Sequence, residues 1–192
     1  SPLALYVAGE MISKSFSVPA TDLEEILARN CHISDTARAA RFCRQAEQAR
    51  YFCKDIHYPD VPLHTPTFDT TLLSAHIRPG HVMLIDCWAS WCGPCRAAIP
   101  AVKTLYDKYD RDRFDVISIS LDSKKEDWQK ALEEEKMPWP QFIAGNRGYE
   151  QLTLRYNINS IPNLILIDDK GQVVCNTFSP EEISIELEEI LR

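Results

Sequence analysis

The chain has 192 residues, 45% of them hydrophobic, with 21 Lys and Arg against 28 Asp and Glu, giving a formal net charge of −7. That length and apolar content support one domain of ordinary size, or a core plus an appendage. The acidic balance argues against a nucleic-acid surface, and no apolar run approaches the roughly 18 residues of a bilayer span.

Residues 1–58 read as a helical N-terminal segment. Ser1-Pro2 looks like a cap with Pro at the first helical position, and Leu3, Leu5, Tyr6 and Val7 begin an apolar face. The same pair is an unusual chain start, so residue 1 reads as a processing boundary. Thr21-Asp22-Leu23-Glu24 is a capping box opening a short helix to Arg29. A longer helix runs from Ser34 or Asp35 to about Asp55, with Ala37, Ala40, Phe42, Ala49 and Phe52 suited to packing. Pro59, Pro62 and Pro66 then rule out a helix, so residues 59–80 read as a Pro-rich linker with an edge strand within it.

From His81 the pattern alternates. Residues 81–88 form a buried strand, followed by a helix from about 93 to 109 with Pro100 inside it as a kink. Asp115–Leu121 is a second strand. Ser123-Lys124-Lys125-Glu126 caps a helix to about Lys136. Phe142-Ile143 is a short strand or turn, and 147–156 a short helix. Asn163–Ile167 and Gln172–Asn176 flank Asp168-Asp169-Lys170-Gly171, a hairpin turn. Ser179 or Pro180 opens a last helix to Arg192. Strand–helix alternation argues an α/β fold, a parallel sheet with helices on both faces, to which the closing hairpin adds an antiparallel edge.

Trp91-Cys92-Gly93-Pro94-Cys95 sits where the first strand meets its helix. A Cys at a helix start faces unpaired backbone N–H groups and the positive end of the dipole, both of which favour thiolate. Cys92 is therefore the expected attacking thiol and the more exposed of the two. Cys95, one turn on, is the expected resolving thiol. A zinc half-site is the alternative, but no second Cys-x-x-Cys and no His-x₃-His accompanies the motif, so no metal is expected. Asp86 shares its strand face with Leu84 and Trp88, where desolvation raises a carboxyl toward the range useful for proton transfer. It is the candidate base for Cys95. The alternative is a strand-end carboxylate pointing at water. Trp91 reads as an exposed apolar lip for substrate, Gly93 and Pro94 as the turn into the helix. Trp88 and Trp139 read as packing residues, and the five histidines as non-catalytic. Of the seven cysteines, Cys87 and Cys175 read as inert core thiols. Cys43 and Cys53 are too far apart on one helix to bridge, and a Cys31–Cys43 pairing stays open.

Trp88-Ala89-Ser90-Trp91-Cys92-Gly93-Pro94-Cys95, with Ile161-Pro162 ahead of an apolar strand and the turn at 168–171, resembles the thioredoxin superfamily over about residues 66–192. Within it, the chain is similar to cell-envelope thiol–disulfide oxidoreductases of the TlpA/ResA type. The resemblance implies a thioredoxin fold over 81–192 and a cis bond at Pro162 that presents the Ile161 backbone to an extended substrate. It also implies a periplasmic or envelope setting, and the helical segment 1–58 resembles the stretch that precedes the thioredoxin domain in some larger envelope proteins, which reads it as the end of a larger upstream region. Gly-Pro between the thiols matches the reducing members. Two departures stand out. Many ResA-type proteins carry a Glu three residues after the second motif Cys, where this chain has Ala98. Asp86 falls at the buried Asp of thioredoxin, while the Lys that thioredoxin carries on the next strand falls on Ser118, so a tuning charge is missing.

The expected function is reduction of protein disulfides through Cys92 and Cys95, with no cofactor. Its partners are protein disulfide substrates and an upstream electron-donor protein, since no Gly-rich nucleotide fingerprint is present. A disulfide oxidase or isomerase would use the same residues. A peroxidase would need Thr and Arg companions around a lone Cys. A redox-sensing binding module is the rival from another class.

Overall fold

The computed structural model describes residues 56–156 and 158–192. The helices and capping box expected within 1–55, and the Cys31, Cys43 and Cys53 positions, lie outside the described residues.

The centre of the molecule is β4 (Val82–Trp88), with all seven residues buried. A strand covered on both faces reads as a continuous apolar run, which is how it shows in the sequence. It pairs in parallel with β5 (Phe114–Ser120) and antiparallel with β7 (Asn163–Ile167). The register sets Asp86 opposite Ser118 on one side and Leu164 on the other. β6 (Gln141–Ile143) extends the parallel part, and β8 (Gln172–Thr177) folds back on β7 through the turn at 168–171. Three upstream strands complete the sheet: β1 (Ile56–His57), β2 (Pro62–His64) and β3 (Thr70–Leu72). The order is β1-β8-β7-β4-β5-β6-β2-β3.

Alternation along β4 assigns its two faces. Met83, Ile85 and Cys87 pack in a core with Leu152 and Tyr156 of α3 (Gly145–Tyr156). Val82 and Leu84 pack with Val102 and Leu105 of α1 (Gly93–Lys108), and with Ile183 and Leu187 of α4 (Pro180–Ile190). Trp88, at the C-terminal end of β4, joins Cys92, Cys95 and Ile99 with Trp128 and Ala131 of α2 (Lys125–Glu135). Asp86 has the parity of Leu84 and Trp88, and so belongs to the α1 face.

The mixed sheet flanked by helices is the one the thioredoxin resemblance implies; the parallel sheet expected from alternation is confined to β4–β5–β6, because the closing hairpin sets β7 antiparallel against β4 in the middle of the sheet and not at an edge. Three local expectations are also corrected. Ile56–His57 is a strand and not part of the N-terminal helical segment, because it finds the free edge of β8. The stretch expected as a linker contributes two strands and a 3₁₀ turn (Leu73–His76). Its prolines are tolerated because Pro62 is the first residue of β2, while Pro59 and Pro66 lie outside the strands. The Ser123 cap does not form: Lys124 is the N-cap of α2, with no side-chain hydrogen bond. Ser123 sits one position too early to reach the orphan N–H groups. By contrast, Ser179 does cap α4, accepting from the Glu182 N–H at 3.3 Å.

The segment between β1 and β2 is fastened to α3. The Tyr156 hydroxyl donates to the Pro59 carbonyl at 2.6 Å, and Arg155 donates to the Asp60 carbonyl at 3.2 Å. Gly148 permits this approach, since a Cβ there would lie 2.5 Å from the Pro62 carbonyl oxygen.

Candidate active site

Strand β4 ends at Trp88, and Ala89–Trp91 turn the chain into α1. Cys92 is the N-cap of that helix in extended backbone conformation, and its Sγ accepts the Cys95 backbone N–H at 3.2 Å. The cap position leaves the first-turn N–H groups without helical partners, and one of them is aimed at sulfur. Pro94 fits the first turn because it has no N–H to satisfy there. Cys92 and Cys95 form a disulfide, with their Cα atoms 5.2 Å apart. When the bridge opens, the same N–H and the helix dipole stabilise negative charge on Cys92.

Both sulfurs are enclosed in this state. Cys92 is 4% exposed and Cys95 2%, so the expected contrast in exposure is slight. The bridge ties Cys92 against its neighbours, and the Ile161 carbonyl oxygen stands 3.8 Å from its Sγ. Trp91 supplies the exposed surface instead, at 70%. It borders a cavity of about 390 Å³ together with Leu121, Tyr149, Ile158 and Ile161. The Ile161–Pro162 peptide is cis.

The turn ahead of Cys92 is held by a carboxylate that the sequence pattern did not single out. Asp122 accepts the Ser90 backbone N–H at 2.9 Å and the Ser90 hydroxyl at 2.7 Å. The Ser120 hydroxyl also donates to it, at 2.7 Å. Asp122 follows the C-terminal end of β5, which lies beside the end of β4, so the pairing register brings it to this turn.

Asp86 is buried on the α1 face of the sheet. Burial pushes its carboxyl up from 3.8 to about 6, and the Ser118 hydroxyl, donating to Oδ2 at 2.8 Å, pulls the other way. The Trp139 indole N–H donates in turn to Ser118 Oγ at 2.8 Å. Trp139 is thus more than the packing residue expected, and Ser118 brings a neutral donor to a position where no charge is available. Cys87 follows Asp86 but faces the other core, and burial pushes its thiol up, with the neighbouring carboxylate adding to the effect. Neither Ser118 nor Trp139 carries a motif signal. Only the strand register joins them to Asp86. His81 lies before the start of β4, away from the disulfide, with Nδ1 3.3 Å from Asp115 Oδ2.

Comparison with known proteins places this site in a family. A family model described as Thioredoxin-like matches residues 80–173. A crystal structure from Chlorobium tepidum, described as thiol:disulfide interchange protein DsbE, superposes with a TM-score of 0.60 at 30% identity, covering 72% of this chain and 95% of that one. The chain belongs to the thioredoxin-like family. The thiol-disulfide oxidoreductase ResA of Geobacillus kaustophilus is 26% identical over 133 residues, 65% of this chain and 75% of that protein. Nucleoredoxin of Xenopus laevis is 33% identical over 128 residues, 64% of this chain but only 29% of its own length. Thiol–disulfide exchange is the chemistry that fits both these thioredoxin-like relatives and the Cys92–Cys95 pair. No helix among the described residues is long and apolar enough to cross a membrane.

Proposed function

We propose that this protein reduces disulfides in other proteins outside the cytoplasm, in a bacterial cell envelope. Cys92 attacks as thiolate on one sulfur of the substrate bridge. The substrate disulfide breaks, a Cys92–substrate mixed disulfide forms, and the other substrate sulfur leaves as thiolate. Cys95 then gives its proton to Asp86 and attacks Cys92 Sγ. This releases the second substrate thiol and leaves the Cys92–Cys95 bridge. The substrate has gained two electrons, and an upstream dithiol protein returns them to the enzyme. Trp91 and the Ile161 backbone receive the extended substrate segment, with Gly93 and Pro94 setting the turn that presents the sulfur and Pro162 packed beside it.

The observation that carries this reading is the Cys95 N–H aimed at Cys92 Sγ at the start of α1. It supports Cys92 as the sulfur whose negative charge is stabilised when the bridge opens. The test is reduction of insulin with dithiothreitol as electron source. Turnover lost in Cys92→Ser, with Cys95→Ser accumulating mixed disulfides, supports the reading. Normal folding without turnover, or oxidation of reduced substrates in preference to reduction, overturns it.

A further inference from the structure

Asp86 and Ser118 are opposite one another across the parallel β4–β5 pair, so the backbone register itself delivers the hydroxyl to the carboxylate. The Ser118 hydroxyl has two acceptors within reach: Asp86 Oδ2 at 2.8 Å and the Met137 thioether at 3.9 Å. A thioether is a weak acceptor and a carboxylate oxygen a strong one, so the proton points at Asp86. The Trp139 indole can only donate, and its N–H occupies a lone pair of Ser118 Oγ at 2.8 Å. The Trp139 ring is itself braced against Tyr106, with ring centroids 5.2 Å apart. Ser118, Asp86 and Trp139 are all buried, so solvent does not compete for these bonds.

We propose that Ser118, backed by Trp139, is the positioning residue for Asp86: it pins Oδ2 and leaves Oδ1 to exchange the proton with Cys95. This rests on the reading of Asp86 as the base. Oδ1 has no hydrogen-bond partner among the described residues, whereas Oδ2 is held. A carboxylate fixed through one oxygen keeps the other in a single orientation, as a proton acceptor within a closed site needs. A neutral donor also suits the task. A cation in place of Ser118 would stabilise the carboxylate strongly and hold it below the range where it accepts a proton near neutral pH. A hydroxyl offsets only part of the desolvation. Leu164 of β7 stands opposite Asp86 on the other side of the strand, and the Cys87 thiol next to it turns to the opposite core, while Cys95 and Ile99 of α1 cluster with Trp88, two residues on along the same face.

The experiment uses the whole chain and follows the Asp86 side-chain carboxyl by ¹³C NMR across pH, beside the pH profile of insulin reduction. Ser118→Ala raises the Asp86 midpoint by about one unit, the size expected for a lost hydrogen bond to a charged acceptor. Trp139→Phe, which keeps the ring and loses the N–H, shifts it in the same direction by less. Ser118→Thr, which restores the hydroxyl, returns it toward the wild-type value. The pH dependence of Cys92 alkylation stays where it is in all three, which separates positioning of Asp86 from general loosening of the site. An unmoved Asp86 midpoint in Ser118→Ala, while Asp86→Asn slows reduction, overturns the role of Ser118 and leaves the base standing. An Asp86→Asn variant with an unaltered pH profile removes the base, and this proposal with it.

Discussion

Asp122 grips Ser90 at two points, taking its backbone N–H at 2.9 Å and its hydroxyl at 2.7 Å. Ser90 lies two residues before Cys92, so this grip sets the path of the chain into the helix start where the sulfur is held.

Removing it loosens the turn. Asp122→Ala leaves Ser90 and Ser120 without their acceptor in a buried setting, at a cost of about 2–3 kcal/mol. Urea unfolding of the oxidised protein should show that loss, and Cys92 alkylation should slow as the sulfur loses its fixed place against the Cys95 N–H. Ser90→Ala removes one of the two contacts and has the smaller effect on both.

The stabilised thiolate has a direct signature. Iodoacetamide labelling of the reduced protein should run faster near neutrality than that of an unperturbed cysteine, whose thiol titrates at about 8.5. Mass spectrometry of peptides cut at short times should find the label on Cys92 and not on Cys95. A Cys92 that labels no faster near neutrality than a free peptide thiol would falsify the assignment.

Asp86 links stability to pH. Its folded carboxyl holds a proton up to about pH 6, whereas an ordinary Asp releases it near 3.8. Between those values the native state binds more protons than the unfolded state, so stability falls as pH rises through the window and levels off above it. The loss amounts to about 3 kcal/mol from that difference in affinity. Asp86→Asn should abolish the decline and leave the oxidised protein more stable than wild type at pH 7, while slowing insulin reduction. Thermal unfolding of both proteins from pH 4 to 8 checks it.

Trp91 is exposed beside the cavity next to the disulfide. Trp91→Ala should raise KM for a protein disulfide about tenfold, the change expected for losing ~1.4 kcal/mol of aromatic contact. The rate with a small soluble disulfide should be unchanged, since such a substrate does not fill the cavity.

Gly148 is needed for the close passage of the Pro62 carbonyl. Gly148→Ala pushes a Cβ into that oxygen and should cost about 1–3 kcal/mol in urea unfolding, by shifting the segment away from α3. The disulfide chemistry should persist, because β4 and α1 are not part of that contact.

What was legible in the sequence follows from how local each signal is. The buried run at 82–88, the Cys92–Cys95 spacing and the Ser179 cap are fixed by neighbours within a few residues, and they read correctly. The turn at 168–171 reads for the same reason. Asp86 was legible too, because an acid inside an apolar strand is conspicuous. The bonds that surround it were not. Ser118 is one of two serines in β5, and Trp139 lies in a loop flanked by prolines, so only the pairing of β4 with β5 brings all three together. The same holds for Asp122 and Ser90, which are 32 residues apart. Short strands at 56–57, 62–64 and 70–72 were hidden by prolines and by their length, since so few residues carry no periodicity.

The placement of β1 beside β8, and of β2 and β3 beyond β6, means that one stretch of under twenty residues covers part of the sheet edge at both ends. It works as a belt. A fragment trimmed to begin at His81 would keep every residue of the redox centre, yet it would carry two raw edges with unpaired backbone groups. Such edges invite strand addition from other copies. Loss of solubility, rather than loss of chemistry, is what that truncation should bring.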